Sequence, residues 1–132
     1  MIIKESGENY LETILVLSKK QGSVRSIDVA NELNFSKPSI SVAMKHFRED
    51  GYINMDKDGI ITLTDKGREI AMRVYERHQL IAKVLIALGI SEETAYEDSC
   101  KIEHDLSQES FEKIKEFYEK SLLASEISGS KN

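Results

Sequence analysis

The chain has 132 residues, of which 40% are hydrophobic and 31% charged, and its formal net charge is -5. This length fits one compact domain or two small ones with a real core, and no apolar run is long enough to span a membrane. Its single cysteine, Cys100, and the lack of a signal-peptide core after residues 1–4 argue against a secreted, disulfide-stapled domain. They predict a protein of the reducing cytoplasm.

The charge is unevenly distributed along the chain. Residues 1–73 hold 11 Lys/Arg against 11 Asp/Glu, whereas residues 74–132 hold 7 against 12, so all of the excess acid is C-terminal. A neutral part beside an acidic part fits a DNA-binding domain joined to a cation-binding domain, although solvated helix surfaces produce the same pattern. We predict domains at residues 1–73 and 74–132.

The first 50 residues predict three helices. Ser6 can cap the first helix, which stops before Gly22. The buried side of this helix holds Tyr10, Leu11, Ile14, Leu15 and Leu17. Ser26 caps the second helix, and Asn34-Phe35 turns into a third over residues 36–50. The inward-facing residues of these two helices are Ile27, Ala30, Leu33, Ile40, Ala43, Met44 and Phe47.

The second and third helices, with the segment that follows, predict a winged helix-turn-helix. Two short helices joined by a tight turn are typical of a DNA-reading pair, with residues 36–50 as the recognition helix. Alternating residues 52–57 predict a strand, Asp58-Gly59 a two-residue hairpin turn, and residues 60–63 the returning strand. Any small α+β domain can hold such elements, but their order makes double-stranded DNA the leading partner.

Several exposed polar and basic side chains are candidate DNA contacts. Those on the recognition helix are Ser36, Lys37, Pro38, Ser39, Ser41 and Lys45, with Pro38 able to touch a thymine methyl group. Candidate phosphate contacts are Arg25, Ser26 and, on the wing, Lys57. The alternative for all of them is an ordinary solvated surface.

The C-terminal part is predicted to be all helical. A long helix begins at Thr64 and Asp65 and ends at Gly89, and its apolar stripe holds Ala71, Val74, His78, Ile81, Leu85 and Leu88. Ser91 caps the next helix, whose packing face is Ala95, Ser99, Ile102 and Leu106. Ser107 caps a last helix that buries Phe111, Ile114, Tyr118 and Leu122, and residues 128–132 form a predicted frayed tail.

One cluster of side chains has the donor types and the spacing of a candidate metal site. Cys100, Glu103 and His104 stand at i, i+3 and i+4, close enough on a helix to share one cation. Burying Glu103 without a cation is costly, and this donor set suits Fe(II), Co(II) or Zn(II) better than Mg(II) or Ca(II). A lone Cys100 would more often be a small hydrophobe and a lone His78 a core histidine.

The chain resembles the diphtheria toxin repressor family of metal-dependent transcriptional repressors, including its shorter manganese branch, over about residues 6–120. The motifs that carry the resemblance are Glu8-Asn9-Tyr10-Leu11-Glu12, Ser36-Lys37-Pro38-Ser39-Ile40-Ser41, Leu63-Thr64-Asp65-Lys66-Gly67, Arg77-His78 and Cys100-Lys101-Ile102-Glu103-His104. The resemblance implies a mainly α fold, with an N-terminal winged helix-turn-helix followed by an all-helical dimerisation and metal-binding domain. It implies a homodimer on a palindromic operator that controls metal-homeostasis genes, and no enzymatic activity.

The resemblance also implies a ligand set and a switch. The metal ligands would be Asn9, Glu12, His78, Cys100, Glu103 and His104. A bound cation would hold the first helix against the dimerisation domain and set the angle between the two DNA-binding domains of the dimer.

The resemblance to two branches leaves Fe(II) and Mn(II) as the expected cofactors, with other divalent transition metals able to substitute. Cys100 is typical of the iron-responsive branch, and a thiolate favours Fe(II), whereas Glu12 and the two-domain form are typical of the manganese branch. Asn9 offers only an oxygen or a water contact. Ala82 and Tyr96 replace ligands of the iron branch's ancillary site, so that site is incomplete unless His78 and Glu12 build a second one.

Three other functions are compatible with parts of the pattern. A winged-helix repressor that binds an organic ligand would not respond to divalent metals. A metal hydrolase is disfavoured because the candidate ligands fill the site, and no substrate-binding glycine loop or spare base is present in the sequence. A protein-binding winged helix would be dimeric, metal-free and indifferent to DNA.

Overall fold

The structure is a computed structural model that describes residues 5–129, with side chains described for residues 7–125. The elements are α1 (Glu5–Gln21), α2 (Ser26–Leu33), α3 (Lys37–Glu49), β1 (Ile53–Met55), β2 (Ile61–Leu63), α4 (Asp65–Ala87), α5 (Glu92–Asp105) and α6 (Gln108–Gly129). The expected mainly α fold with one small hairpin is confirmed. No helix in the described part of the chain is long and apolar enough to cross a membrane.

The chain divides into two compact units, the first ending at Tyr75 and the second beginning at Glu76. Helix α4 runs without a break through these residues. The domain boundary that we predicted after residue 73 therefore has no break in secondary structure to mark it, and it stays a prediction.

The core of the first unit is built from α1, α2, α3 and the hairpin. The predicted buried face of α1 is confirmed for Leu11, Ile14, Leu15 and Leu17, and α3 contributes Ile40, Met44 and Phe47. The Phe47 ring makes edge contacts with Tyr10 and Tyr52, at centroid distances of 5.7 and 6.4 Å. The prediction of an inward-facing Ile27 was wrong, because this side chain is exposed at the surface.

The helix-turn-helix is formed by α2 and α3. Asn34 adopts the left-handed conformation at φ 57° and ends α2, and the Ser36 hydroxyl caps α3 by accepting from the Ser39 N–H at 3.3 Å. The predicted cap of α2 was one residue off. Ser26 is the first helical residue, and the N–H of Arg25 donates to the Asp28 carboxylate at 2.9 Å. The predicted Ser6 cap lies outside the residues whose side chains are described.

The wing is the antiparallel pair of β1 and β2, in which Met55 lies opposite Ile61. The Gly59 N–H donates to the Asp56 carbonyl at 3.0 Å, which places Lys57-Asp58 at the centre of the turn and Gly59, at φ 81°, after it. This is a three-residue connection with a left-handed glycine. The prediction of a two-residue Asp58-Gly59 turn was therefore wrong by one position.

The start of α4 is fixed to the end of the recognition helix. The Thr64 hydroxyl donates to the Gly51 carbonyl at 2.6 Å and accepts from the Gly67 N–H at 3.1 Å. A Cβ at Gly67 would overlap the carbonyl oxygen of Tyr52. The Lys66 ammonium lies 4.2 Å from the centroid of the Tyr52 ring, and it also donates to the backbone beyond α3.

The second unit contains the later part of α4, with α5 and α6. The predicted caps are confirmed, because Ser91 accepts from the Thr94 N–H at 3.4 Å and Ser107 from the Ser110 N–H at 3.1 Å. The buried residues of this unit include Ile81, Ala82, Ala95, Ser99 and Phe111. The predicted frayed tail was wrong for residues 128 and 129, which are helical, and residues 130–132 lie outside the described chain.

The predicted packing faces of the second unit needed correction at three positions. Leu88, Ile102 and Leu122 were expected inside, but these residues are 74%, 39% and 47% exposed. Helical periodicity identifies an apolar stripe without telling which of its members lie at the edge of the packed face.

Candidate metal centre and DNA-contact surface

The position of His78 is set by contacts with α5. This half-buried side chain lies on α4, its Nε2 is 3.3 Å from the Tyr96 carbonyl, and its ring is 6.2 Å from the Tyr96 ring. A carbonyl oxygen only accepts, so a hydrogen bond here requires Nε2–H and leaves the lone pair of the neutral ring on Nδ1. A metal-binding histidine is usually oriented in this way, through its second nitrogen.

Glu103 supplies a buried carboxylate beside this histidine. The residue lies near the C-terminal end of α5, is 5% exposed, and has a fully buried Oε2. One ligand atom of His78 and one carboxylate oxygen of Glu103 lie within 4.8 Å of each other. An imidazole nitrogen and a carboxylate oxygen at this spacing fit a divalent transition-metal ion.

Cys100 and His104, the other two predicted ligands of α5, lie outside the donor group formed by His78 and Glu103. Cys100 is exposed and His104 is half-buried, and neither belongs to the compact donor group that contains His78 and Glu103. At about 100° per residue, Cys100 and His104 are separated by about 40° around the helix, whereas Glu103 is about 100° from His104. The three-residue spacing therefore does not place all three donors at one point. Ligand roles for Cys100 and His104 stay predictions.

Helix α1 carries the two oxygen donors predicted in the first unit. Asn9 is half-buried, and Glu12 is 8% exposed although it is a carboxylate. The neighbouring Glu8 forms a salt bridge with Arg73 at 3.6 Å. The part of α1 that carries Asn9 and Glu12 therefore combines apolar packing with buried or half-buried acidic groups.

The candidate DNA contacts lie on the surface of the first unit. Exposed side chains are Arg25, Ser36, Lys37, Pro38, Ser39, Ser41, Lys45 and Lys57, and Ser26 is half-buried. Ser26, Lys37 and Ser41 line an open cleft of about 240 Å³, together with the apolar residues Ile27, Ala30 and Ile40. The Ser36 hydroxyl donates to the Ser39 hydroxyl at 2.9 Å, so both are held in place by the cap of α3.

Sequence reasoning gave no separate role to Arg77, which contacts α5 and α6. A signal was present, because Arg77 stands three residues after Val74 and four before Ile81, both of which are buried. A basic residue inside an apolar helical stripe needs partners, so it is a candidate for a structural or positioning role.

A winged helix-turn-helix and a helical unit with a half-buried imidazole beside a buried carboxylate define a DNA-binding regulator with a metal-binding domain. Residues 3–60 match the family model described as iron dependent repressor, N-terminal DNA binding domain. Residues 64–121 match the model described as iron dependent repressor, metal binding and dimerisation domain. The chain therefore belongs to the iron-dependent repressor family of metal-dependent transcriptional repressors.

Two curated relatives are similar over most of their length. The chain is 36% identical over 120 residues to the uncharacterized HTH-type transcriptional regulator MJ0568 of Methanocaldococcus jannaschii, covering 89% of this chain and 96% of the relative. It is 35% identical over 109 residues to the HTH-type transcriptional regulator MntR of Geobacillus kaustophilus, covering 83% and 77%. These relatives are regulators and not enzymes, as expected for this chain.

Two solved structures share the fold. The metal-dependent transcriptional regulator MtsR superposes with a TM-score of 0.78 at 25% identity, covering 90% of this chain and 55% of the other. The manganese regulator SloR superposes with a TM-score of 0.73 at 26% identity, covering 90% and 55%. The chain thus spans about half the length of these two proteins. None of the reported relatives supports the organic-ligand alternative.

Proposed function

We propose that the chain acts in the cytoplasm as a homodimer that represses metal-homeostasis genes when Fe(II) or Mn(II) is bound. The observation that carries this proposal is the closeness of the half-buried His78 imidazole and the buried Glu103 carboxylate within the region that matches the metal-binding domain. The exposed lysines of the winged helix support a role in binding a palindromic DNA operator.

The proposed ligand set consists of Glu12, His78 and Glu103, completed by Cys100, His104 and Asn9. Glu12 is supported by its burial at 8% exposure, since a buried carboxylate needs a cation or hydrogen-bond donors. It lies in the predicted DNA-binding domain, residues 1–73, whereas His78 and Glu103 lie in the predicted dimerisation domain, residues 74–132. The resemblance to metal-dependent repressors implies that a bound ion would favour one arrangement of the two DNA-binding domains of the dimer.

When bound, the cation would compensate the negative charge of the carboxylates. The chain's own contribution is to hold the His78 imidazole and the Glu103 carboxylate close together before binding. The metal can activate the protein only if it binds the DNA-binding conformation of the dimer more tightly than the inactive conformation. The coupling free energy between metal binding and DNA binding is typically about 1–3 kcal/mol in such proteins.

The choice between Fe(II) and Mn(II) depends on Cys100. The nitrogen and oxygen donors of His78 and Glu103 accommodate either ion, and a thiolate in the set favours Fe(II). The exposed position of Cys100 and the similarity to the manganese regulator SloR support Mn(II). We therefore propose that both ions bind, and that the relative affinity depends on whether Cys100 coordinates.

The decisive experiment is anaerobic fluorescence anisotropy with a labelled duplex from the promoter region of the gene itself, at fixed salt. We expect binding with Fe(II) or Mn(II) and at least about tenfold weaker binding in chelator, the fold-change that a coupling near 1.4 kcal/mol gives. The ion that acts at the lower free concentration is the physiological candidate.

The matched variants for this assay are Glu103→Gln and Glu109→Gln, which remove a buried and an exposed carboxylate from the same unit. We expect Glu103→Gln to abolish the metal response and Glu109→Gln to keep it. Equal DNA binding in metal and in chelator by the unaltered protein would contradict the proposed function.

A further inference from the structure

The Arg77 guanidinium joins three helices of the second unit. Its Nη2 donates to the carbonyl oxygen of Glu103 at 3.2 Å and to that of Leu106 at 2.7 Å. Its Nη1 donates to the Gln108 side-chain oxygen at 3.3 Å. The guanidinium carbon lies 4.9 Å from the centroid of the Phe111 ring. One side chain of α4 thus holds the end of α5, the following turn and the start of α6.

Two of these contacts satisfy backbone groups that the helix cannot satisfy itself. Glu103 lies in the last turn of α5, and Leu106 is its C-cap residue. The last carbonyls of a helix lack intrahelical partners and carry a partial negative charge, so a cation is favoured at this end. The acceptors bonded to Arg77 are two backbone carbonyls and one side-chain amide, which are all neutral.

The geometry of this contact requires an arginine. A planar guanidinium presents several N–H groups in a fixed fork, whereas a lysine ammonium is a point charge on a flexible stem. Arg77 uses Nη1 and Nη2 at the same time, and its Nε is buried without a hydrogen-bond partner in the described part of the chain. The guanidinium is therefore held by its two terminal nitrogens and by the Phe111 ring.

Arg77 is directly linked to both donors of the metal centre. It precedes His78 in α4, and it bonds the backbone of Glu103, whose carboxylate lies within 4.8 Å of a His78 ligand atom. We propose that Arg77 is a positioning residue for the metal centre, which fixes the Glu103 backbone relative to the helix that carries His78. This inference rests on the proposed metal-dependent function.

The test measures metal affinity and coordination on the full chain. Mn(II) affinity is determined by competition with a chelator, and visible absorption of the Co(II)-loaded protein reports the ligand geometry. The variants are Arg77→Gln and Arg77→Lys, with Lys83→Gln as a control that removes an exposed positive charge from the same helix. Far-ultraviolet circular dichroism at the assay temperature establishes that each variant is folded.

We expect Arg77→Gln to weaken Mn(II) binding by about 10- to 100-fold, the usual effect of removing a residue that orients a ligand, and to alter the Co(II) bands. Arg77→Lys, which keeps the charge, should remain folded and show a smaller loss in the same direction. Lys83→Gln should match the unaltered protein.

Two outcomes would overturn the assignment in different ways. In the first, Arg77→Lys and Arg77→Gln fold and show a lower melting temperature with unchanged Mn(II) affinity and Co(II) bands. This result would show that Arg77 stabilises the fold without positioning the metal ligands. An unaltered protein that binds neither Mn(II) nor Co(II) would overturn the proposed function, and the positioning role with it.

Discussion

Single residues decide how closely the elements of the first unit approach each other. Gly67 lies in the first turn of α4, where a side chain would meet the Tyr52 carbonyl just beyond the recognition helix. Glycine is needed here because there is no room for a side chain, and not because of its backbone conformation, since Gly67 is not among the residues with a positive φ. The contact fixes where α4 begins relative to α3.

The contact at Gly67 predicts whether replacing this glycine raises or lowers the free energy of unfolding. In an open helical position, Gly→Ala would stabilise the protein by about 1 kcal/mol through helix propensity. We expect Gly67→Ala instead to lower the free energy of unfolding by about 1–3 kcal/mol, as overpacking does. Urea denaturation checks this, with exposed Arg68→Ala as the control, and a stabilised Gly67→Ala would refute the close contact.

Elements that depend on neighbouring residues could be predicted from the sequence. The caps at Ser91 and Ser107 are confirmed, because each serine bonds an N–H three residues ahead. The order of α2, α3 and the hairpin was also predictable, because their turn signals and apolar spacing are local. The exact turn of the wing was not, since Asp58-Gly59 suits both two-residue and three-residue connections.

The metal centre was only partly predictable, because its geometry depends on distant segments. Glu103 was singled out, and its burial is confirmed. Its closeness to His78 joins residues 25 positions apart, and the Arg77 contacts with Leu106 and Gln108 span similar separations. Helical spacing within α5 grouped Glu103 with Cys100 and His104, whereas the compact donor group joins Glu103 to His78 on α4.

The wing turn is stabilised by one carboxylate. Asp56 accepts from the N–H groups of Asp58 and Ile60, both at 2.9 Å, while the side chain of Asp58 is exposed. We expect Asp56→Ala to lower the free energy of unfolding by about 1–2 kcal/mol more than Asp58→Ala, because only the first change removes two hydrogen bonds. Both variants remove one negative charge, so equal stabilities in chemical denaturation would refute this role.

At the scale of the whole molecule, metal binding and stability are linked. A ligand that binds only the folded chain stabilises it by about 2.7 kcal/mol at one hundred times its dissociation constant. We therefore expect the melting temperature to rise with Mn(II) concentration, and this rise to be lost in Glu103→Gln.

Thermal unfolding followed by circular dichroism tests the linkage, with chelator as the reference and Mg(II) as the control ion. Mg(II) prefers octahedral oxygen ligands and retains its waters, so it should have little effect. Identical melting temperatures in chelator and in saturating Mn(II) would argue against a site formed by the folded protein.

The exposed thiol of Cys100 gives the molecule a built-in chemical reporter. The chain has one cysteine, so a thiol-specific reagent modifies a single position in each subunit. A thiolate bound to a metal is protected from alkylation, whereas one that stays in solvent reacts at the same rate with or without the ion. The labelling rate therefore distinguishes a sulfur-containing site from one built of nitrogen and oxygen alone, without any change to the sequence.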